Sequence, residues 1–370
     1  MADRPSSRVV SLDALRGFDM FWILSGEVFF ISLFRLFDLP FFDALSRQLE
    51  HSTWSGFTFY DLIFPLFIFI TGASLPFSLT KRLDRGESRM ELYKHIVKRT
   101  VLLYVFGLLY NGLLNFDPQH LRYTGVLHRI GISYFFASLI LMNVRSLKRQ
   151  VMVTAGILLG YWVLLLLIPV PGFGRYVITP EGNLVGWIDR LLLPGSFCCR
   201  PYAPFGDNEG ILSYLPAVAS CMLGVFAGSW LKSSETPARK CKGLMAAGAA
   251  LLGIALVWNF VFPINKLIWT SSYVLFAGGW SALLLCLFYW LIDVKGYQKW
   301  AFPFVVIGMN PITIYLVAEL FDFGVIVNIY SHAFMNNLGS WKDVYFNLNM
   351  ILVKWLFVYF LYRQKIFLKV

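Results

Sequence analysis

One polar segment of this chain carries residue types that could do acid–base chemistry. It reads HSTWSGFTFYDLIFP, from His51 to Pro65, and contains Asp61 at the start of a long apolar run. A histidine at such a boundary can be neutral near pH 7, so its ring suits a general base or a nucleophile. A carboxylate beside apolar residues is expensive and needs a partner. The spacing alone also fits a histidine that caps a helix or meets lipid headgroups.

Further charged residues fall inside or next to apolar runs. Glu27 lies near the middle of the first run, where an acidic side chain usually faces a cavity or a partner. Arg129, near the start of a later run, is a candidate counter-charge for it. Asp13 and Arg16 are three residues apart, which favours a structural pair at a helix start.

Other polar residues border later apolar runs. The four concerned are Asp207, Glu209, Lys266 and Asn310. Asn310 precedes a proline that should break its run. Singly, each is more often a packing or turn residue. Together they predict a polar cavity within the apolar part of the molecule.

The elements that must position these residues are membrane-spanning helices. Of the 370 residues, 58% are hydrophobic and only 14% are charged, against about 25% charged in soluble domains. The apolar residues form blocks of about 20, the length that crosses a hydrocarbon core as a helix. We therefore predict an all-α, polytopic membrane protein with about ten transmembrane helices, near 17–37, 57–79, 100–116, 126–144, 151–169, 210–231, 243–262, 271–292, 302–321 and 344–362.

The distribution of positive charge predicts the orientation of these helices. When successive loops are assigned to alternate sides of the membrane, roughly two thirds of the 32 Lys and Arg residues fall on one side. The positive-inside rule then places both termini in the cytoplasm. The net charge of +11 thus reports topology and does not indicate a nucleic-acid partner.

The chain reads as a single transmembrane domain over 1–370, without internal repeats or long polar linkers. Its longest loop, near 170–209, lies on the predicted outer side and is rich in Gly, Pro and aromatic residues. Loops of this length are usually functional or disordered, and the aromatic content argues against disorder. We expect an extracytoplasmic cap over an outward-facing site.

Several motifs of other function classes are absent from the sequence. It has no G-x-x-x-x-G-K-[ST], so an ATP-driven pump is not expected. It has no H-E-x-x-H, and its five cysteines lack neighbouring ligands at metal spacing. We expect no metal.

Seven blocks, in this order, resemble the heparan-α-glucosaminide N-acetyltransferase family of transmembrane acetyltransferases, including its bacterial members. The HSTW…DLIFP block is the most specific. The blocks are SLDALRGFDMFWI, HSTWSGFTFYDLIFPLFIFITGAS, GVLHRIGISYF, GNLVGWIDRLLL, DNEGILSYLPAVASCMLGVFAG, NKLIWTSSYVL and IGMNPITIY.

The resemblance implies a reaction that crosses the membrane. Family members move the acetyl group of cytoplasmic acetyl-CoA to an amino sugar on the far face, which in lysosomal members is the glucosamine end of heparan sulfate. The family's active-site histidine matches His51, and the acid of the same block matches Asp61. Glu27 falls where the animal enzymes carry an asparagine implicated at the active site, and this departure puts the first-span contribution in doubt.

The remaining candidate residues are assigned to the two substrates. We place Arg129, Asn310 and Lys266 with acetyl-CoA, and Trp54, Asp189, Asp207 and Glu209 with the sugar. The basic loop from Lys81 to Arg99, with Arg145, Lys148 and Arg149, is on the correct face for CoA phosphates, although topology alone also explains it. The resemblance further suggests a homodimer, and the compact chain suggests a bacterial inner membrane, where it meets lipid.

Two chemical routes and a second function class stay open at this stage. His51 could deprotonate the sugar amine during direct attack on the thioester, or accept the acetyl group first as an acyl-imidazole. N- and O-acetylation are both compatible with the sequence. The alternative to an acyltransferase is a secondary transporter of a sugar or other small solute, which would also show broken helices and buried charges.

Overall fold

The computed structural model describes residues 9–83, 85–198 and 202–368. Within these ranges the chain is helical, and an isolated bridge between Val170 and Gly174 is the only β-type pairing. The prediction of an all-α membrane protein is confirmed. The helices are α1 Val10–Phe21, α2 Glu27–Phe34, α3 Pro40–Gln48, α4 Ile63–Leu83, α5 Arg89–Tyr110, α6 Val126–Asn143, α7 Leu147–Leu167, α8 Leu184–Leu192, α9 Tyr214–Lys232, α10 Pro237–Asn259, α11 Ser271–Phe288, α12 Phe302–Met309, α13 Pro311–Leu320, α14 Phe323–Met335 and α15 Lys342–Arg363.

Each predicted span corresponds to a helix or a helix pair, but two of them differ from a simple crossing. In the described part of the chain, eight helical segments are long and apolar enough to cross a membrane. The predicted span at 302–321 is the pair α12 and α13, which bends by 74°. Counting this pair gives nine. The predicted span at 100–116 corresponds to α5, whose first half carries Lys94, Lys98 and Arg99 and is therefore too polar to count.

The chain divides into two compact units. The first unit combines Met1–Ser46, Glu235–Met245 and Leu283–Lys369. The second combines Arg47–Ser234 and Ala246–Ala282. Of the residues behind the predicted topology, Arg4, Arg8, Arg200 and Lys369 lie outside the described ranges. The single domain and the cytoplasmic termini stay predictions.

In the second unit, α4 is buried along most of its length and packs closely against α9. Glycines allow the two backbones to approach. A Cβ atom at Gly72 of α4 would come within 1.9 Å of the Cys221 carbonyl oxygen on α9. A Cβ atom at Gly228 of α9 would come within 2.1 Å of the Ala73 carbonyl oxygen on α4. The close packing of α4 against α9 stabilises the position of the residues at the N-terminal end of α4.

In the first unit, α1 and α12 meet in the same way. A Cβ atom at Gly308 would come within 1.9 Å of the Asp13 carbonyl oxygen. The Asp293 carboxylate caps the start of α1 by accepting hydrogen bonds from the backbone N–H of Val10 (3.2 Å) and Ser11 (3.1 Å). The predicted pair of Asp13 and Arg16 also forms, at 3.2 Å.

The long loop near 170–209 is folded onto the second unit around α8. Its described apolar residues join a buried cluster formed by Tyr161, Leu165, Val170, Leu184, Val185, Tyr202, Phe262, Leu267 and Ile268. The Asn183 side chain caps α8 by accepting from the Gly186 N–H at 2.8 Å, and it also accepts from the Tyr202 hydroxyl at 2.8 Å. Three of the aromatic residues that argue against disorder, Trp187, Tyr202 and Phe205, are thus packed, whereas Phe173 is exposed.

Candidate functional site

Asp61 is fixed where a short helical turn leads into α4. Thr58 begins this turn, and its backbone N–H donates to Asp61 Oδ2 at 3.2 Å as part of a capping box. The Thr58 hydroxyl lies 3.2 Å from the same oxygen. The Ser52 N–H donates to the same oxygen at 3.2 Å. The N-terminal end of a helix also favours a negative charge. The carboxylate that seemed costly in the sequence is therefore well satisfied.

The other oxygen of this carboxylate faces His51. His51 Nδ1 lies 2.9 Å from Asp61 Oδ1, and the two side chains differ sharply in exposure, at 51% for the histidine and 1% for the aspartate. The imidazole also packs on the Tyr60 ring, with 4.8 Å between centroids. When Nδ1 donates its proton to Asp61, the lone pair of Nε2 is free for a substrate. This is the arrangement of a general base or nucleophile oriented by a carboxylate.

A lysine from a distant segment completes this group. Lys266 belongs to residues 263–270, which join α10 to α11, and its Nζ lies 3.3 Å from Asp61 Oδ1. The same Nζ is 2.9 Å from His51 Nδ1 and 3.3 Å from Nε2. Burial lowers the pKa of Lys266, while the Asp61 carboxylate opposes that change. The sequence placed Lys266 with acetyl-CoA, whereas the structure brings it to His51 and Asp61.

A second charged cluster joins the segment before α6 to the end of the cap loop. Arg122 binds Asp207 through two hydrogen bonds, Nε to Oδ2 at 2.7 Å and an NH2 group to Oδ1 at 2.6 Å. It also contacts the Glu209 carboxylate. Burial would raise the pKa of Asp207, but Arg122 outweighs it and holds that pKa below its usual range. The predicted substrate residues Asp207 and Glu209 are thus already paired with a cation.

Asp189, on α8, orders the segment that follows. Its carboxylate accepts hydrogen bonds from the backbone N–H of Asp207 at 3.2 Å and of Ile211 at 3.0 Å. Burial raises the pKa of Asp189 to about 7, and these two hydrogen bonds oppose the rise.

Arg129 anchors the same segment from α6. It donates to the Asn208 carbonyl at 2.8 Å and to the Ser213 hydroxyl. Its guanidinium stacks over the Trp269 ring, 4.3 Å from the centroid. Arg129 is fully buried, and its described contacts all lie within the second unit. The pairing of Arg129 with Glu27 stays a prediction.

The two charged clusters are neighbours. Glu209 and Arg129 both act electrostatically on Lys266, which contacts His51 and Asp61. The segments 38–56, 117–125, 170–209 and 263–270, which the alternate sorting of loops assigns to the outer side, therefore all contribute residues to one end of the second unit. The side of the membrane on which this end lies stays a prediction.

Trp54 connects the histidine segment to the cap loop. Its indole N–H donates to the Ile178 carbonyl at 2.8 Å, and its ring lies 5.1 Å from that of Tyr202. A further hydrogen bond joins the Gly56 N–H to the Ile264 carbonyl at 2.9 Å. Trp54 has a clear structural role, and its contact with a sugar stays a prediction.

Two predicted site residues belong to the first unit. Asn310 lies at the break between α12 and α13, where its amide donates to the Ile366 carbonyl at 2.9 Å and accepts from the Leu368 N–H at 3.2 Å. Glu27 is half-buried and begins α2 directly after a π-helical turn, Trp22–Gly26. Their proposed roles with acetyl-CoA and in catalysis stay predictions.

Arg122 and Tyr273 have roles at this site that the sequence did not predict. Arg122 was treated only as a loop charge, although a cation just before an apolar block is a signal worth following. Tyr273 is buried in α11 and donates its hydroxyl proton to the Asp61 carbonyl at 2.8 Å, a contact with no sequence signal. Among the residues that the structure describes, no group of three or more His, Cys, Asp or Glu side chains is arranged to hold a metal.

Comparison with known proteins supports the resemblance seen in the sequence. A family model described as a domain of unknown function, DUF5009, matches residues 8–113, which include His51 and Asp61. The human heparan-alpha-glucosaminide N-acetyltransferase is 29% identical over 381 aligned residues, covering 87% of this chain and 56% of the human protein. The mouse protein of the same name is 30% identical over 74% of this chain and 49% of its own length.

The chain spans about half the length of these curated relatives. The alignments nevertheless cover most of this chain, and the ordered motifs agree with them. The chain is therefore a homologue of heparan-alpha-glucosaminide N-acetyltransferase over most of its own length.

Proposed function

We propose that this protein is a membrane-embedded acyltransferase that moves the acetyl group of acetyl-CoA to the amino group of a glucosamine-type sugar. The observation that carries the proposal is the group formed by His51, Asp61 and Lys266, in which a half-exposed imidazole is held by a buried carboxylate. Homology to enzymes named as N-acetyltransferases supports the reaction class.

The chemistry requires a group that handles protons at the sugar amine. A protonated amine has no lone pair with which to attack the thioester. A neutral His51 with its proton on Nδ1 can remove one proton through Nε2 as the amine nitrogen bonds to the acetyl carbon, and the departing CoA thiolate takes the second proton from that nitrogen and leaves as the thiol. In the second route, Nε2 takes the acetyl group, the departing CoA thiolate takes a proton from the sugar ammonium, and the free amine attacks the acyl-imidazole and passes its remaining proton to the released Nε2. Both routes use the same nitrogen, and a sugar hydroxyl could replace the amine in either.

A cavity at the opposite end of α4 supports binding of the acetyl donor. It measures about 500 Å³ and is lined by apolar residues together with Arg89 and Lys232. Cations beside an apolar surface suit the phosphates and the chain of CoA. The 21 residues of α4 extend roughly 30 Å, about the thickness of a hydrocarbon core. We propose that CoA phosphates bind at this end, on the cytoplasmic side, while the sugar arrives at His51.

The orientation and the membrane are part of the same proposal. The positive-inside rule puts the loop Lys81 to Arg99 and both termini in the cytoplasm, and His51 on the outer side. We assign the protein to a bacterial inner membrane, with an extracytoplasmic glycan end as the acceptor.

The proposal is tested by acetyl transfer from labelled acetyl-CoA to glucosamine, using the purified full chain in detergent. We expect transfer by the wild type and its loss in His51→Ala, because general base or nucleophilic catalysis contributes on the order of 10²- to 10⁴-fold. His120→Ala is the matched control, since His120 also lies beside an aspartate but is 81% exposed. Undiminished transfer by His51→Ala, in a variant that unfolds at the wild-type temperature, would place the site elsewhere.

The chemical route is decided by a second measurement. The protein is mixed with labelled acetyl-CoA alone and quenched within one turnover time. Label on His51 at catalytic rates indicates the acyl-imidazole, and its absence indicates direct transfer. Uptake of unmodified glucosamine by liposomes containing the protein, without any acetylated product, would favour the transporter.

A further inference from the structure

The position of Lys266 relative to the His51 ring is unusual for a hydrogen-bonding partner. Its Nζ lies 2.9 Å from Nδ1 and 3.3 Å from Nε2 of the same imidazole. The lone pairs of these two nitrogens point away from each other in the ring plane, so one ammonium this close to both lies along neither. Lys266 therefore acts on the ring mainly as a charge.

The groups that face His51 define its electrostatic environment. From the turn before α4 come the buried Asp61 carboxylate and the Tyr60 ring. From the segment before α11 comes Lys266, which is only 12% exposed. Glu209 and Arg129 also act electrostatically on Lys266, and their charges have opposite signs. The immediate contacts of the imidazole are thus one negative and one positive group.

We propose that Lys266 is a positioning residue that keeps the His51 ring neutral, with its single proton on Nδ1 and the Nε2 lone pair free. The inference rests on the proposed function, because it assigns Lys266 a role in preparing the base or nucleophile. It also differs from a role in binding the acetyl donor.

The physical reason is competition for a single carboxylate. A protonated imidazole would place a second positive charge about 3 Å from the Lys266 ammonium, and one carboxylate cannot neutralise both. Lys266 already lies 3.3 Å from Asp61 Oδ1, so the charge of that oxygen is shared. A neutral ring still donates its Nδ1 proton to Asp61 without adding charge. The Lys266 ammonium, 2.9 Å from Nδ1, opposes the attraction that Asp61 exerts on a second positive charge.

The test reads the charge of His51 directly and does not depend on transfer. The full chain is labelled with ¹⁵N in its histidine rings and titrated by NMR in detergent, with the His51 signal identified by its loss in His51→Gln. We expect the titration midpoint of His51 to rise by roughly one pH unit in Lys266→Met, because a nearby like charge has been removed. Lys266→Arg keeps the charge and should leave the midpoint close to that of the wild type. Lys342→Met, which removes an exposed lysine at the start of α15, is the matched control.

Each outcome bears on the proposal. A midpoint that does not move in Lys266→Met, or that moves equally in Lys342→Met, would overturn it. If Lys266→Met does not fold, Lys266→Gln removes the same charge, and the midpoint of His51 must rise in that variant as well. The transfer rate falls at low pH as His51 becomes protonated. The pH at which it falls should shift together with the NMR midpoint. An NMR shift without any transfer activity would reject the proposed function and keep the electrostatic role of Lys266.

Discussion

His51 and His120 each lie beside an aspartate, and the burial of that aspartate separates them. The Nδ1 to carboxylate distance is 2.9 Å for His51 with Asp61 and 2.7 Å for His120 with Asp117. Asp117 is 49% exposed, so water screens its charge and competes for its hydrogen bonds. Asp61 is 1% exposed and held by three further donor groups, so it can fix the tautomer of its histidine. Distance alone would not distinguish the two pairs.

Replacing Asp61 should therefore damage catalysis far more than replacing Asp117. We expect Asp61→Asn to lower kcat for acetyl transfer by on the order of 10²-fold, because an amide can donate to Nδ1 and stabilise the wrong tautomer. Asp117→Asn should leave kcat unchanged. The measurement is kcat and KM for both variants at saturating acetyl-CoA. Equal activity of Asp61→Asn and the wild type would remove Asp61 from the mechanism.

At the scale of elements, the site depends on irregular segments supported by rigid helices. The close pair of α4 and α9 holds Asp61, while the segment before α9 is held by Arg122, Arg129 and Asp189. These contacts tie the end of the cap loop to α6, to the segment before α6 and to α8. Loops positioned by a scaffold in this way commonly carry binding and catalytic residues.

The attachment of α8 should depend on pH through Asp189. Its pKa in the folded protein is about 7, above the ordinary value of about 3.9. The folded state thus binds the Asp189 proton more tightly than the unfolded state does. The contribution of this proton to the free energy of unfolding is complete below about pH 4 and is lost as pH rises through about 7.

We expect the thermal midpoint of the wild type to fall relative to Asp189→Asn, by a few degrees, between pH 5 and pH 8. The asparagine variant has no proton to lose at this position, so its pH profile is the reference for the wild type. Asp207 does not interfere, because Arg122 holds its pKa below the usual range and therefore below this window. Parallel pH profiles of the two proteins would contradict the assignment.

At the scale of the whole molecule, the proposed function requires that the two ends of α4 face opposite sides of the membrane. His51, Asp61 and the cap loop lie at its N-terminal end, and the cavity lined by Arg89 and Lys232 lies toward its C-terminal end. A transferase with this layout can receive its donor and acceptor from different compartments.

Thiol labelling in intact cells tests this orientation. In a background with the native cysteines replaced by serine, Asp117→Cys should react with a membrane-impermeant maleimide. Arg85→Cys should react only after the membrane is permeabilised, because it lies in the basic loop assigned to the cytoplasm. Both positions are exposed, so burial does not confuse the comparison. The reverse pattern would invert the topology and the proposed route of the donor.

The sequence by itself determined the helical membrane class, the approximate spans and the segment that contains His51 and Asp61. The length of an apolar run and the residues that cap a helix are properties of neighbouring residues. His51 and Asp61 are only 10 residues apart in the chain, so they belong to one local segment. The tertiary structure alone decided the place of Lys266, which is 215 residues from His51, and of Arg122, which is 85 residues from Asp207. It also decided that α12 and α13 are sharply bent. Contacts between distant segments depend on how helices pack, and a residue's type and its neighbours do not specify that packing.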